Sequence, residues 1–224
     1  MKTRISAAEL DQLFWYRAIE GKTLEDLKRD LLYYTPPTTD AMAIGTAWAK
    51  ALEHAEGSTS MLEADGYAFI IDADITLDLY DSRETFVNHN LKVGGIDVHL
   101  TGKVDSVRGG IIVDDKMSSR QHDLETKSAS MQWKAYLLAT DGLQFVYRLW
   151  QWSRDAKVNR EHGKQVIVIK SMQELKLYPY SGMQQDVEQS CAELIEFMAV
   201  HTPERIVADG EDYYRKPTLE ASDE

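Results

Sequence analysis

Apolar and polar positions follow two different periods along this chain, and the switches between them mark out its elements. The first third has helical spacing. Ser6-Ala7-Ala8-Glu9 forms a capping-box pattern that predicts a helix through about Ala18. Thr23 to Asp26 looks like a second start ahead of Leu27, Leu31 and Leu32, and Pro36-Pro37 stops that element. A third helix is predicted from about Asp40 to His54, ending before Gly57. The period then shortens to two. Phe86 to Val93, Ile96 to Val107 and Ile111 to Lys116 read as strands of a meander, separated by Gly94-Gly95 and Gly109-Gly110. A helix follows from about Leu124 to Thr140, stopped by Asp141-Gly142. Gln144 to Trp152 and Gln165 to Lys170 are two more strands around a charged loop. Met183 to Val200 places Val187, Cys191, Leu194, Ile195 and Met198 on one helical face. From about Pro203 the chain reads as an acidic, loosely held tail.

The order of elements predicts an α/β fold: a mixed central sheet with an antiparallel meander, flanked by helices. A chain of 224 residues with 43% hydrophobic content suits one core, which gives a single domain over 1–202 and a tail over 203–224. No apolar run reaches the length of a membrane span, and the start lacks the apolar stretch of a signal peptide. A cytoplasmic protein without a membrane partner is therefore expected. A single cysteine, Cys191, excludes an internal disulfide and a cysteine-rich metal cluster, and it reads as a small apolar helix residue.

Charge complicates the choice of partner. A net charge of −12 argues against binding phosphates. Residues 101–170, however, hold 12 Lys and Arg against 8 Asp and Glu, which permits a basic face on an acidic body.

The second glycine turn carries the candidate chemistry. A two-residue turn at Gly109-Gly110 sets Asp105 opposite Asp114 on one sheet face, with Cβ atoms about 4.5–5.5 Å apart. Lys116, two residues further on, shares that face. Asp115 points to the other face, with a structural side chain and a backbone carbonyl still available. Two opposed carboxylates are destabilising unless one is protonated or a cation lies between them. A hard divalent ion such as Mg²⁺ or Mn²⁺ resolves the conflict, and it normally completes its shell with water and substrate phosphate. Beside such an ion a lysine can orient water or stabilise developing charge, and its pKa would fall. The competing reading is an ordinary surface hairpin in which Lys103 or Lys116 neutralises Asp114. Ile111-Ile112-Val113, an apolar run ending in charge, favours a buried strand instead.

At these residues a resemblance appears. Gly102-Lys103-Val104-Asp105, then Asp114-Asp115-Lys116, then Gln132-Trp133-Lys134-Ala135-Tyr136 resembles the PD-(D/E)XK nuclease superfamily. More narrowly, it is similar to the branch with RecB-type nuclease domains, phage lambda exonuclease and exodeoxyribonuclease VIII. Each fragment is short; the ordered set, over about residues 5–140, is more specific. The resemblance implies a restriction-endonuclease-like core and Mg²⁺- or Mn²⁺-dependent cleavage of DNA. Asp105 and Asp114, with the Asp115 carbonyl, match the metal ligands, and Lys116 matches the catalytic lysine. Gln132 and Tyr136 match the helix motif bordering the active site; four apart, they share a helical face. It also implies exonuclease action on duplex ends in phage-type recombination or repair, a single-strand annealing partner and possible homo-oligomers.

One position departs from the pattern. Gly45-Thr46-Ala47-Trp48-Ala49-Lys50-Ala51-Leu52-Glu53 matches the family's G-T-A-x-H-x-x-L-E helix, but Ala49 stands where relatives carry a metal-binding His or Glu. Glu53, one turn later and leaning back over that space, is a candidate substitute. Arg120, Lys127 and Lys134 are candidate DNA contacts, as are Arg154, Lys157, Arg160 and Lys164 of the charged loop. His89 and His99 lack metal-ligand spacing and read as structural, and Trp150 and Trp152 as core or interface. Two competitors remain: a nuclease-fold binding module without catalysis, favoured by Ala49 and the acidic charge, and an endonuclease of the same superfamily.

Overall fold

The computed structural model describes residues 1–18, 23–32, 38–53, 55, 57–58, 60–71, 76–77, 82–154 and 164–213. Its elements are β1 (Lys2–Ser6), α1 (Ala7–Ala18), α2 (Leu24–Leu32), α3 (Asp40–Glu53), β2 (Gly57–Ser58), β3 (Met61–Ala64), β4 (Tyr67–Ile71) and β5 (Thr76–Leu77). There follow β6 (Ser82–Val93), β7 (Ile96–Arg108), β8 (Ile111–Ser118), α4 (Leu124–Ala129), α5 (Gln132–Thr140), β9 (Gln144–Arg154), β10 (Gln165–Leu177) and α6 (Met183–His201). Pro36-Pro37, His54, Lys157 and Arg160 lie outside the described residues, as do residues 214–224.

The fold is the expected α/β class. One mixed sheet runs in the order β1-β7-β8-β9-β10-β4-β3, with β6 on β7, and β2 pairs β5 separately. β6, β7 and β8 are the antiparallel meander; β8 and β9 are parallel, joined across α4 and α5. Apolar side chains from both sheet faces bury into two cores. One lies under α1, α2, α5 and α6 and includes Leu10, Leu31, Leu100, Phe145 and Cys191. The other lies under α3 and centres on Trp48, Phe69, Trp150 and Ile167. Trp150 and Trp152 thus belong to the core, with Trp48 edge-on to Trp150.

Local signals hold where the chain alone decides. Ser6 and Glu9 cap α1 reciprocally, Ser6 N–H to Glu9 at 2.7 Å and Glu9 N–H to Ser6 Oγ at 3.2 Å. Gly109 and Gly110 both have positive φ, 54° and 79°, which closes β7 on β8 through two residues. Three differences have physical causes. Lys2–Ser6, without an element in the sequence reading, is a strand because β7 offers it a parallel partner from Asp97 to Thr101. Met61–Ile71 is a hairpin turned by Asp65-Gly66, again with positive φ at both residues. The single helix expected over 124–140 is two: Ser130 is extended (ψ 148°), and Asp11 of α1 accepts from the N–H groups of Met131 and Gln132 at 2.8 and 2.9 Å. A carboxylate from another helix starts α5 afresh, and no local pattern announces that.

The loosening expected from Pro203 does not begin there. Arg205, 4% exposed, donates to Glu9 at 2.9 Å and to the carbonyls of Leu31 and Arg4 at 2.7 and 2.9 Å, while Thr3 bonds its carbonyl. Val207 bridges to Lys2, and Tyr213 stacks on His99. Removing the guanidinium strands a buried carboxylate and two carbonyls. Arg205→Ala is therefore expected to lose about 3–5 kcal/mol in urea unfolding, and truncation after Thr202 a comparable amount. An unchanged midpoint for the truncated chain would restore the boundary at 203.

Candidate active site

The site forms where a sheet ladder is interrupted. β6 pairs with one edge of β7 from Ile96 to Val107, with Asp105 left out of the register opposite Glu84, whose φ is 51°. The other edge is shared: β1 pairs with Asp97 to Thr101, and β8 pairs only with Ser106 to Arg108. Between them lie Gly102, Lys103, Val104 and Asp105, which pair with neither strand on that edge. The β7–β8 register, Ser106 with Val113 and Arg108 with Ile111, is the one a two-residue turn demands. It would set Asp105 against Asp114, but the paired ladder ends one residue earlier. Instead the Asp105 carboxylate accepts from the Asp115 N–H at 3.1 Å.

Asp114 is buried at 3% exposure, and Lys116 reaches back along β8 to it. The ammonium is 2.9 Å from Oδ1 and 2.7 Å from Oδ2. Only Oδ1 takes a hydrogen bond; Oδ2 is a buried oxygen without one. Burial, and next the charge of Asp114, push the Asp105 carboxyl up to about 7, against the pull of Lys116 and the Asp115 N–H. Burial opposes the charge on Lys116, yet Asp114 and Asp105 outweigh it and hold the pKa above the usual lysine range. The repulsion between aspartates is thus met partly by Lys116 and partly by a proton on Asp105. The fall in lysine pKa expected from a cation is not what this arrangement produces by itself.

Asp115 faces the other core, as its parity requires. Arg148, beside it in the parallel register, donates to it twice, at 2.8 and 2.6 Å, and the Trp150 indole N–H donates at 2.6 Å. This buried fork fixes β8 against β9 from behind. N–H and C=O of one strand residue share an edge, so the Asp115 carbonyl is directed to the side on which Asp105 meets its N–H.

α5 closes the near face. Tyr136 donates to the Lys103 carbonyl at 2.9 Å, filling a vacancy in the β7 edge, and Gln132 donates to the Tyr136 hydroxyl at 3.4 Å. Burial, then Asp114, push the Tyr136 phenol up to about 12. Its ring is core, stacked on Phe145. It also explains Gly102: a Cβ there would stand 2.3 Å from Tyr136 Cε1. The glycine and tyrosine motifs are one contact seen from two places in the chain.

A small cleft of about 30 Å³ opens beside Asp105, lined by Ala49, Leu52, Glu53, Glu84, Ser106 and Asp115. Glu53 therefore stands at the rim near the position Ala49 leaves empty. Among the described residues, no three His, Cys, Asp or Glu side chains converge as an ion site, so Glu53 does not complete one. The residues still fit a divalent cation. A buried Asp114 oxygen meets only the Lys116 ammonium, out of hydrogen-bond geometry, and its partner carboxylate is pushed toward protonation by burial and then by the charge of Asp114. Asp105, Asp114 and the Asp115 carbonyl would hold such an ion, with water and substrate supplying the rest.

The expected cations divide. Lys127 lies near Asp114 and Lys116. Arg120 is exposed just beyond β8. Lys134 sits on the opposite side of α5 from Gln132 and Tyr136, 3.0 Å from Asp186 of α6, and so is turned away from the aspartates. Arg154 pairs with Asp40 and Lys164 with Glu63. Asp11, Tyr147 and Arg148 were not singled out from sequence. Tyr147 stands beside Asp114 in the β8–β9 register and is raised in pKa by burial, then by Asp114. Their roles come from strands and helices distant in sequence, and only the polar Asp11, four residues before Trp15 on α1, offered a hint.

Solved structures superpose on this chain at low identity. SSO0001 superposes with a TM-score of 0.50 at 12% identity, over 89% of this chain and 78% of that one. An alkaline exonuclease from Laribacter hongkongensis, LHK-Exo, gives 0.43 at 12% identity, over 88% and 89%. Its complex with dAMP gives 0.43 at 11% identity. The likeness to SSO0001 concerns the fold alone. No protein-family model and no curated protein matches the sequence.

Two outcomes follow from this geometry. Gly102→Ala drives a methyl into the Tyr136 ring and is expected to cost about 1–3 kcal/mol in urea unfolding; an unchanged midpoint would show the contact to be slack. Asp105 has a folded pKa of about 7 against 3.8 unfolded, so the native state binds more protons across that interval. Without divalent ions, stability should fall as pH rises from about 4 to about 7, on the order of 2 kcal/mol once solvent access is discounted. Asp105→Asn should flatten that slope, and added Mg²⁺ should reverse it.

Proposed function

We propose that this chain is a divalent-metal-dependent nuclease that hydrolyses phosphodiester bonds in DNA, working as an exonuclease on duplex ends. One observation supports it above the rest: Asp105, Asp114 and Lys116 converge where one edge of β7 is unpaired, and a buried Asp114 oxygen there has only the Lys116 ammonium beside it, out of hydrogen-bond geometry. The resemblance of the three sequence motifs to the PD-(D/E)XK nucleases supports it independently.

In this reading Asp105 and Asp114 hold Mg²⁺ or Mn²⁺, which when bound supplies Lewis-acid stabilisation of the phosphate's developing charge. Lys116, kept protonated by the aspartates, donates to a non-bridging phosphate oxygen and orients the attacking water. Asp115, locked to Arg148 and Trp150, keeps β8 from moving as charge redistributes. Tyr136 and Gln132 hold the β7 edge open at Lys103. A second reading, a nuclease-fold binding module, is favoured by one feature: no third acidic ligand converges among the described residues.

Linear and closed circular duplex DNA, incubated with Mg²⁺ or Mn²⁺, separate the readings. Degradation of the linear form with the circle spared is expected. Lys116→Ala and Asp114→Asn should each slow it by about a thousandfold and Asp105→Asn similarly, with Glu53→Gln costing less than about tenfold. Cutting of the circle would make the enzyme an endonuclease. Binding without cleavage under either metal would establish the binding module.

A further inference from the structure

Lys127 of α4 is a partly buried cation within electrostatic reach of Asp114. Its ammonium lies 5.6 Å from the ring centroid of Trp15 on α1 and 5.7 Å from that of Tyr147 on β9. Among the described residues it makes no salt bridge. The acidic groups facing it are engaged elsewhere: Asp114 with Lys116, and Asp11 with the Ser130 hydroxyl and the N–H groups of Met131 and Gln132. Burial, and then the charge of Lys116, lower the Lys127 pKa. Two lysines therefore act on one carboxylate, Lys116 by direct contact and Lys127 through its charge, and the second is held by aromatic faces.

A desolvated cation without a partner is unfavourable until an anion reaches it. Aromatic faces offset part of that cost and fix the ammonium's position, but they leave its charge available. The arrangement is prepared for an anion arriving at the open side of Asp114. We propose that Lys127 binds a backbone phosphate of the nucleic-acid strand, adjacent to the one that meets Asp114 and Lys116. Trp15, half-buried and edge-on to Phe14, presents a ring beside it on which the attached base stacks. The identity of the ligand rests on the nuclease reading of the same site. The anion site itself rests only on Lys127 and its surroundings.

The test measures binding apart from cleavage. A fluorescein-labelled duplex oligonucleotide is titrated in EDTA over a range of salt, with Lys127→Gln and Lys127→Arg beside the parent. Lys127→Gln should weaken binding roughly tenfold and reduce the salt slope by about one, while Lys127→Arg retains both. In parallel, inorganic phosphate at matched ionic strength should raise the melting temperature of the parent but not of Lys127→Gln. Without phosphate the Lys127→Gln variant should melt no lower than the parent, since a lysine that merely packs on Trp15 would leave a destabilised protein. Unchanged affinity and slope in Lys127→Gln, or a lowered melting temperature with phosphate stabilisation intact, overturns the proposal. If the parent binds through Lys127 yet cleaves nothing with Mg²⁺ or Mn²⁺, the nuclease reading fails and this one stands. If it cleaves and Lys127→Gln binds and cleaves like the parent, the reverse holds.

Discussion

The ion pair between Asp114 and Lys116 is the interaction on which the site depends. A carboxylate at 3% exposure is costly to bury without a partner, and the one provided lies two residues along the same strand. That placement sets the ammonium against both carboxylate oxygens, 2.9 Å from Oδ1 and 2.7 Å from Oδ2, but only Oδ1 is in hydrogen-bond geometry. The pair is incomplete: Asp105, drawn to the same place by the Asp115 N–H, is pushed toward protonation by burial and then by the charge of Asp114, beyond what Lys116 offsets. A site built in this way is short of cations by construction.

The sheet makes room for that shortage. β7 is long enough to take β1 on its first half and β8 on its last three residues, and the stretch between belongs to neither. In a continuous ladder the backbone there would be tied up strand to strand. Here the Lys103 carbonyl goes to Tyr136, and the Asp105 side chain takes the β8 N–H. Behind the opening, Asp115, Arg148 and Trp150 bind β8 to β9 with charge-assisted hydrogen bonds. One strand therefore shows a polar, under-neutralised face on one side and a rigid, satisfied one on the other.

Helix α1 links the elements that frame the site. Its Asp11 starts α5 and so aims Gln132 and Tyr136; its Trp15, one turn later, holds Lys127. Its N-terminal Glu9 is anchored by Arg205 from the far end of the chain. The closing segment, through Arg205, thus steadies the same helix that organises the near wall of the site.

What the sequence determined alone was everything decided over short range. Capping boxes fixed the start of α1, the glycine pairs fixed two-residue turns, and the turn at Gly109-Gly110 set which residues of β7 and β8 share a face. Asp114 with Lys116, and Asp115 opposed to them, followed from strand parity. Tertiary structure decided what depends on remote partners. Asp11 divides one expected helix into two, and β1 becomes a strand because β7 has an open edge. The ladder stops short of Asp105 because that edge is shared. Lys134 turns to α6, and Arg205 is buried where a loose tail was expected. Periodicity and turn chemistry act over a few residues and can be read from the chain, whereas the burial of a charge depends on which distant groups the fold brings beside it.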